Sequence, residues 1–442
     1  MAWQKDQDAR LRDEVWRTWL DNGLGVFVMR KPGFHKRYAV FSTRYGSIDN
    51  RFRRHDRPDV IEVPDGIAHF LEHQLFEDES GHVFNAFADL GASVNAYTSH
   101  VMTSYLFSAT DNFPQAFDRL LDFVQAPHFT EAGVQKEIGI IEQEIRMYQD
   151  QPRHRLWMNL LQALYHVHPV RIDIAGTPES IRRITADTLQ LCYDTFYHPS
   201  NMAVFVVGDV DPDAVLQQVA DDMAGRNYRF RPPVERLFDP EPESVAEARV
   251  EEKMAAARPL YALGFKDTEA VRAGEGGGEA AGRRAALEAL RREVTASLAL
   301  SAALGRSSAL YQELYDADLI DDGFGARHQA GSNFGHTVMA GETRDPHELH
   351  DRLTAGLERL RRDGIPEGEI RRAQRQGVGE FVQMFDSLEF IANGFLFYHF
   401  KGTSLFEYMQ VLEQVTPDEV NARFTEHLRP EAAAVSIVWP KS

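Results

Sequence analysis

The sequence predicts an α+β fold built from two homologous domains, each a mixed, antiparallel-rich sheet with helices on one face. Three observations predict it. The chain has 442 residues, beyond the size at which one hydrophobic core usually stops growing. Strand-like and helix-like segments are mixed along the first half. One stretch is also repeated inside the chain. A register of 231 positions superposes Thr185 on Thr416, Asp187 on Asp418, Pro199 on Pro430, Ala203 on Ala434, Val204 on Val435 and Val207 on Val438 without a gap. Each copy reads as a capped helix, a proline stop and an apolar strand.

The elements follow in order. Asn22-Gly23 is a turn feeding an alternating strand over 24–28, and Tyr38 to Thr43 is a second strand. Residues 66–77 and 80–90 read as helices. Ser93 to Thr98 and Thr103 to Ala109 read as strands joined by a short turn, and 112–125 and 131–149 as helices. A helix from Thr185 to Tyr197 ends before Pro199, and the strand Met202 to Val207 closes this half. Residues 230–246 hold four prolines and several acids with no period, the best linker candidate. The expected domains are therefore 1–229 and 248–442, with 230–247 between them. Segment 273–282, AGEGGGEAAG, reads as a glycine-rich loop.

Composition narrows the function. Net charge is −19, from 48 basic and 67 acidic side chains, which argues against an extended nucleic-acid surface. No apolar run is long enough to span a bilayer. The charged N-terminus lacks a secretory signal pattern, and the single cysteine, Cys192, excludes an internal disulfide and a multi-cysteine metal site. These features point to a cytoplasmic protein.

The strongest chemical signal is Gly66-Ile-Ala-His69-Phe-Leu-Glu72-His73. Residues four apart share a helix face, so His69 and His73 can aim two imidazoles at one point, with Glu72 beside them. A catalytic zinc takes about three protein ligands and keeps one position open, and H-x-x-E-H is the inverted zinc-peptidase motif. A nearby carboxylate such as Glu72 can serve as a general base. A third ligand must come from elsewhere. The segment Lys136 to Met147 carries Glu137, Glu142 and Glu144. Glu137 and Glu144, two turns apart, share a face that Glu142 does not. On residues alone each glutamate also reads as part of a solvated helix face.

Taken together, these residues resemble the pitrilysin-like family of zinc peptidases, which includes insulin-degrading enzymes and mitochondrial processing peptidase. The likeness runs from Asn22-Gly23-Leu24 through the His69–His73 motif, Ser93-Val-Asn95-Ala96-Tyr97-Thr98, His168-Pro169 and Gly176 to Tyr197 and Gly208-Asp209. It implies one zinc per chain held by His69, His73 and Glu144, with Glu72 as general base. It implies a supporting role for Glu137, half of a clamshell as the architecture, and peptide hydrolysis as the activity. Asn95, Ala96, Tyr97 and Thr98 match the family's edge strand, which binds a substrate peptide as an added strand.

The second half departs from that pattern. Self-sufficient members carry an arginine and a tyrosine there that reach the substrate. In Ser308 to Phe324, Tyr315 aligns with the arginine and Phe324 with the tyrosine, and no arginine lies between Arg306 and Arg327. The departure predicts a hetero-oligomer with a related subunit that supplies the pair. The alternative is a homodimer, or a monomer using Arg306, Arg327 or His328. Two other functions compete: a non-catalytic scaffold or peptide-binding subunit, which the intact His69, Glu72 and His73 argue against, and a metal-dependent hydrolase of small esters or amides.

Overall fold

The run Met202-Ala-Val-Phe-Val-Val-Gly has no polar alternation, the pattern of a strand covered on both faces. In the computed structural model, which describes residues 2–8, 10–78, 81–275 and 282–441, it forms the strand Met202–Gly208, buried at every position. That strand lies centrally in a seven-stranded sheet. The order is Gln4–Asp8, Asp13–Trp19, Gly25–Arg30, Met202–Gly208, Arg37–Thr43, Thr103–Ala109, Ser93–Thr98. Its pairing with Gly25–Arg30 is parallel and all other neighbours are antiparallel. The first two strands add to the expected set. Gln4–Asp8 is QKDQD, a segment with no apolar alternation to reveal it.

A second sheet has the order Arg249–Met254, Ala433–Pro440, Leu260–Lys266, Gly335–Glu342, Gly325–Ala330. Its first pair is parallel and the rest antiparallel. This is the pattern of the last five strands of the first sheet, so the duplication extends to topology. The repeated stretches are its local signature. Thr185 and Thr416 both close capping boxes, on the helices Ala186–Phe196 and Pro417–His427. Pro199 and Pro430 each open a single 3-10 turn that delivers the chain into its strand.

On one face of the first sheet, Val26, Val28, Ala39, Phe41, Val204 and Val206 join a core with Leu71, Phe117, Leu120, Ile141 and Leu189 from the helices. The other face is covered as well, by the helix Leu388–Phe400 from the second half. Phe395 stacks on Phe205 with ring centroids 5.2 Å apart. In the second unit the helix Pro152–Leu164 plays this part. Arg155 and Asn159 donate to Glu252 on the strand Arg249–Met254, and Gly264 leaves room for Leu160 and Leu164 against the sheet. The chain thus packs as two units, 1–145 with 173–238 and 384–400, and 146–172 with 239–383 and 401–442. The expected boundaries near 229 and 248 divide the sequence; the packing of these two helices follows a different division. Within 230–247 the only regular element is the two-residue strand Glu235–Arg236. Of the glycine-rich segment, residues 276–281 lie outside the described residues; the helices Thr268–Glu275 and Gly282–Leu304 flank them.

Candidate metal centre

The motif helix Ile67–Gln74 begins at Gly66, whose φ of 89° places it in the left-handed region. A Cβ there would come within 2.4 Å of the Ala175 carbonyl oxygen, and one on Gly176 (φ 76°) within 2.5 Å of the Asp65 carbonyl oxygen. Two glycines therefore let the segment around 173–177 dock against the start of the helix. From this helix His69 and His73 project together, with ring centroids 4.5 Å apart. The long helix Glu131–Gln149 passes beside them.

Three expected ligands converge. His69 Nε2 is 3.8 Å from Glu144 Oε1, and His73 Nε2 is 3.7 Å from Glu144 Oε2. One ligand atom from each of the three residues lies within 4.8 Å of the others, and no other such group occurs among the described residues. Tetrahedral zinc with bonds of about 2.0–2.2 Å places its ligand atoms roughly 3.3–3.6 Å apart, so the group needs little adjustment to hold one ion. His73 Nδ1 and Glu137 Oε1 are 2.8 Å apart. That contact orients the ring and leaves Nε2 for a metal. Glu137 therefore stands behind the centre rather than in it. Glu142 pairs with Arg182 at 2.6 Å and takes no part.

The environment suits these roles. Burial, then the neighbouring His73, pushes His69 down to about 3, so it is a neutral imidazole able to coordinate. Burial also opposes a charge on His73, but its hydrogen bond to Glu137 and the charges of Glu137, Glu72 and Glu144 outweigh this and raise it. Glu72 is pushed up to about 7, chiefly by burial and further by Glu144, against the opposing influence of Thr98 and His73. Burial likewise raises Glu144. A carboxyl poised near neutrality beside a metal donor set is suited to proton transfer.

Ser93–Thr98 is the last strand of its sheet, paired on one side with Thr103–Ala109. Its side chains alternate. Val94 and Ala96 pack against the helix-side core, and Thr98 Oγ1 donates to Glu72 Oε2 at 2.5 Å. Asn95 is exposed, and the Tyr97 hydroxyl donates to Asn393 Oδ1 on the helix Leu388–Phe400 at 2.9 Å. Three contributions lay outside the sequence reading. The contact of Thr98 with Glu72 was signalled only by strand parity. The charge of Asp173, which acts on His69 and Glu144, and the brace from Asn393 had no local signal.

In the second unit, Phe324 is buried and has no hydroxyl, while Tyr315 is exposed and stacks on Tyr311 at 6.2 Å. Arg306 donates to the Asp322 carbonyl. Arg327 lies over the Trp157 ring at 4.2 Å. The His328 side chain is fully enclosed, 3.1 Å from Thr337 Oγ1 and 3.5 Å from Asp267.

A helix-borne pair of histidines, a glutamate from a second helix and a buried carboxyl beside them define a metal-dependent hydrolase class of site. Comparison with known proteins makes this specific. Residues 61–178 match the model described as Insulinase (Peptidase family M16), and 183–376 match the Peptidase M16 inactive domain. The chain belongs to peptidase family M16, the pitrilysin and insulinase family. It is 42% identical over 433 residues to the uncharacterized zinc protease YmfH of Bacillus subtilis (strain 168), covering 98% of both chains. It is 25% identical to the uncharacterized zinc protease YmxG of the same organism, over 83% of each. Among solved structures, an M16-like peptidase from Alicyclobacillus acidocaldarius superposes with a TM-score of 0.90 at 39% identity, over 97% of this chain and 99% of that one. Pitrilysin shares the fold at a TM-score of 0.72 and 18% identity, and the chain spans 47% of its length. No described helix is long and apolar enough to cross a membrane.

Proposed function

We propose that this chain is a zinc endopeptidase that cleaves short or unfolded peptides, with His69, His73 and Glu144 as the ligands and Glu72 as the general base. The observation that carries it is the convergence of those three side chains within 4.8 Å, with Glu72 beside them on the motif helix. Zinc in such a site supplies Lewis acidity, polarising a carbonyl and lowering the pKa of a water in its open position to about 7. The chain's own residues do the rest. Glu72 takes the proton of the attacking water and returns it to the leaving amine. Glu137 holds His73 in one orientation through Nδ1. The free edge at Asn95 to Thr98 accepts the peptide as an added strand, so main-chain bonds place the scissile carbonyl without demanding a tight sequence motif.

The second half supports a partnership. Phe324 has no hydroxyl to donate, and loss of one oxyanion donor typically lowers the rate by about 10²–10³. Pitrilysin is about twice this chain's length. A second, related M16 subunit would then close a chamber over the centre and bring an arginine and a tyrosine; a homodimer is the alternative outcome.

The test measures bound zinc and hydrolysis of a quenched fluorescent peptide, for the chain alone and with subunits that co-purify from its host. Glu72→Gln should keep zinc and lose turnover, and Glu144→Ala should lose zinc. Zinc-loaded protein that cleaves nothing even with its native partners would favour the scaffold reading, and full activity of Glu72→Gln would remove the base.

A further inference from the structure

Glu72 sits on the motif helix and is 8% exposed. A glutamate has three rotatable side-chain bonds, so burial alone does not decide which way its carboxylate points. Among the described residues one hydrogen bond reaches that carboxylate, and it comes from Thr98 Oγ1 to Oε2 at 2.5 Å. Thr98 Oγ1 is also 3.2 Å from Thr103 Oγ1. Thr103 is fully buried and donates its proton to the Tyr45 carbonyl at 2.9 Å. Its hydroxyl is thus held by the loop that follows the strand Arg37–Thr43, and the proton of Thr98 is left for Glu72. Oε1 of Glu72 remains available to meet a water.

We infer that Thr98 is the positioning residue of the general base: its hydroxyl, and not only the main chain of its strand, directs the Glu72 carboxylate toward the His69, His73 and Glu144 group. This rests on the reading of Glu72 as base. A hydroxyl suits the task because it can serve both forms of the group it holds. It donates to the carboxylate before proton transfer. After transfer it can accept from the carboxylic acid while its own proton turns to Thr103 Oγ1. The edge strand then does two things with one backbone: it presents main-chain groups to the peptide and holds the base. The scissile carbonyl and the proton acceptor are referenced to the same rigid element, which is what a productive geometry within a few tenths of an ångström requires.

The test compares Thr98→Val, which keeps the β-branched shape and strand preference but removes the hydroxyl, with Thr98→Ser, which keeps the hydroxyl. Kinetics are measured on the full chain, together with any subunit its activity requires, alongside bound zinc and crystal structures. Thr98→Val should lower kcat by about 10–100-fold while KM changes by less than about 2-fold. Zinc content should stay at the wild-type level, and Thr98→Ser should recover most of the rate. The valine structure should show the Glu72 carboxylate turned away, with His69, His73 and Glu144 unmoved. A wild-type kcat in Thr98→Val, a rise in KM alone, or an unmoved carboxylate overturns the inference. Should valine disturb folding, Thr98→Ala replaces it: serine at least about 10-fold faster than alanine supports the role, and equal rates overturn it. Glu72→Gln run in parallel separates the two ideas. An active Glu72→Gln defeats the base itself, whereas an inactive Glu72→Gln beside an active Thr98→Val defeats only the positioning.

Discussion

Individual side chains carry the chemistry through their partners. His73 would bind metal through one ring nitrogen because Glu137 occupies the other. Glu137→Ala should therefore weaken zinc binding by about 10–100-fold without removing a ligand. Competition with a fluorescent chelator measures this, and an unchanged affinity would return Glu137 to a packing role. A second buried carboxylate shows how pairing decides ionisation. Glu241 accepts the main-chain N–H groups of His166, Val167 and His168 and pairs with Lys266 at 2.7 Å. Burial opposes its charge, but these four donors hold it below the usual glutamate range. At Lys266, burial outweighs its pairing with Glu241 and lowers its value. The Glu241 shift makes the folded state bind fewer protons than the unfolded chain. Its stabilisation is then full above the unfolded value of about 4.3 and is lost as pH falls below it. Between about pH 5 and 3 the wild type should lose stability more steeply than Glu241→Gln in urea titrations, and parallel slopes would refute the assignment.

Among the elements, the motif helix depends on its entry. Gly66 has a positive φ and no space for a Cβ beside Ala175. Gly66→Ala should destabilise the first unit by roughly 1–3 kcal/mol and reduce zinc occupancy, because the helix that aims both imidazoles must shift. Thermal melting and metal analysis check both effects, and a variant with normal zinc content would show that the helix tolerates the shift. Most elements around the centre are legible in the sequence. The strands Ser93–Thr98 and Thr103–Ala109 and the helix Glu131–Gln149 fall where their residue patterns place them. The strands Gln4–Asp8 and Asp13–Trp19 do not, since their pairing with one another and the sheet, and not apolar alternation, makes them strands.

At the level of the whole molecule, a bound ion would tie the motif helix to the helix Glu131–Gln149. Zinc that binds only the folded state stabilises it by about 4 kcal/mol at a thousandfold excess over Kd. Chelation should therefore lower the melting temperature of the wild type and leave that of Glu144→Ala unchanged; equal responses would mean the ion sits elsewhere. The His69–His73 spacing, the acidic helix and the 231-residue repeat are local patterns, and the sequence alone determined them because helical and strand periods, caps and proline stops act over a few residues. It also determined which glutamates share a face. Which helix covers the far side of each sheet, the docking of 173–177 at Gly66, the turn of Thr98 toward Glu72 and the enclosure of His328 were decided only by tertiary structure. Each is a contact between segments far apart in the chain, and such contacts are selected by the total burial and hydrogen bonding of the packed state, which no short window of residues contains.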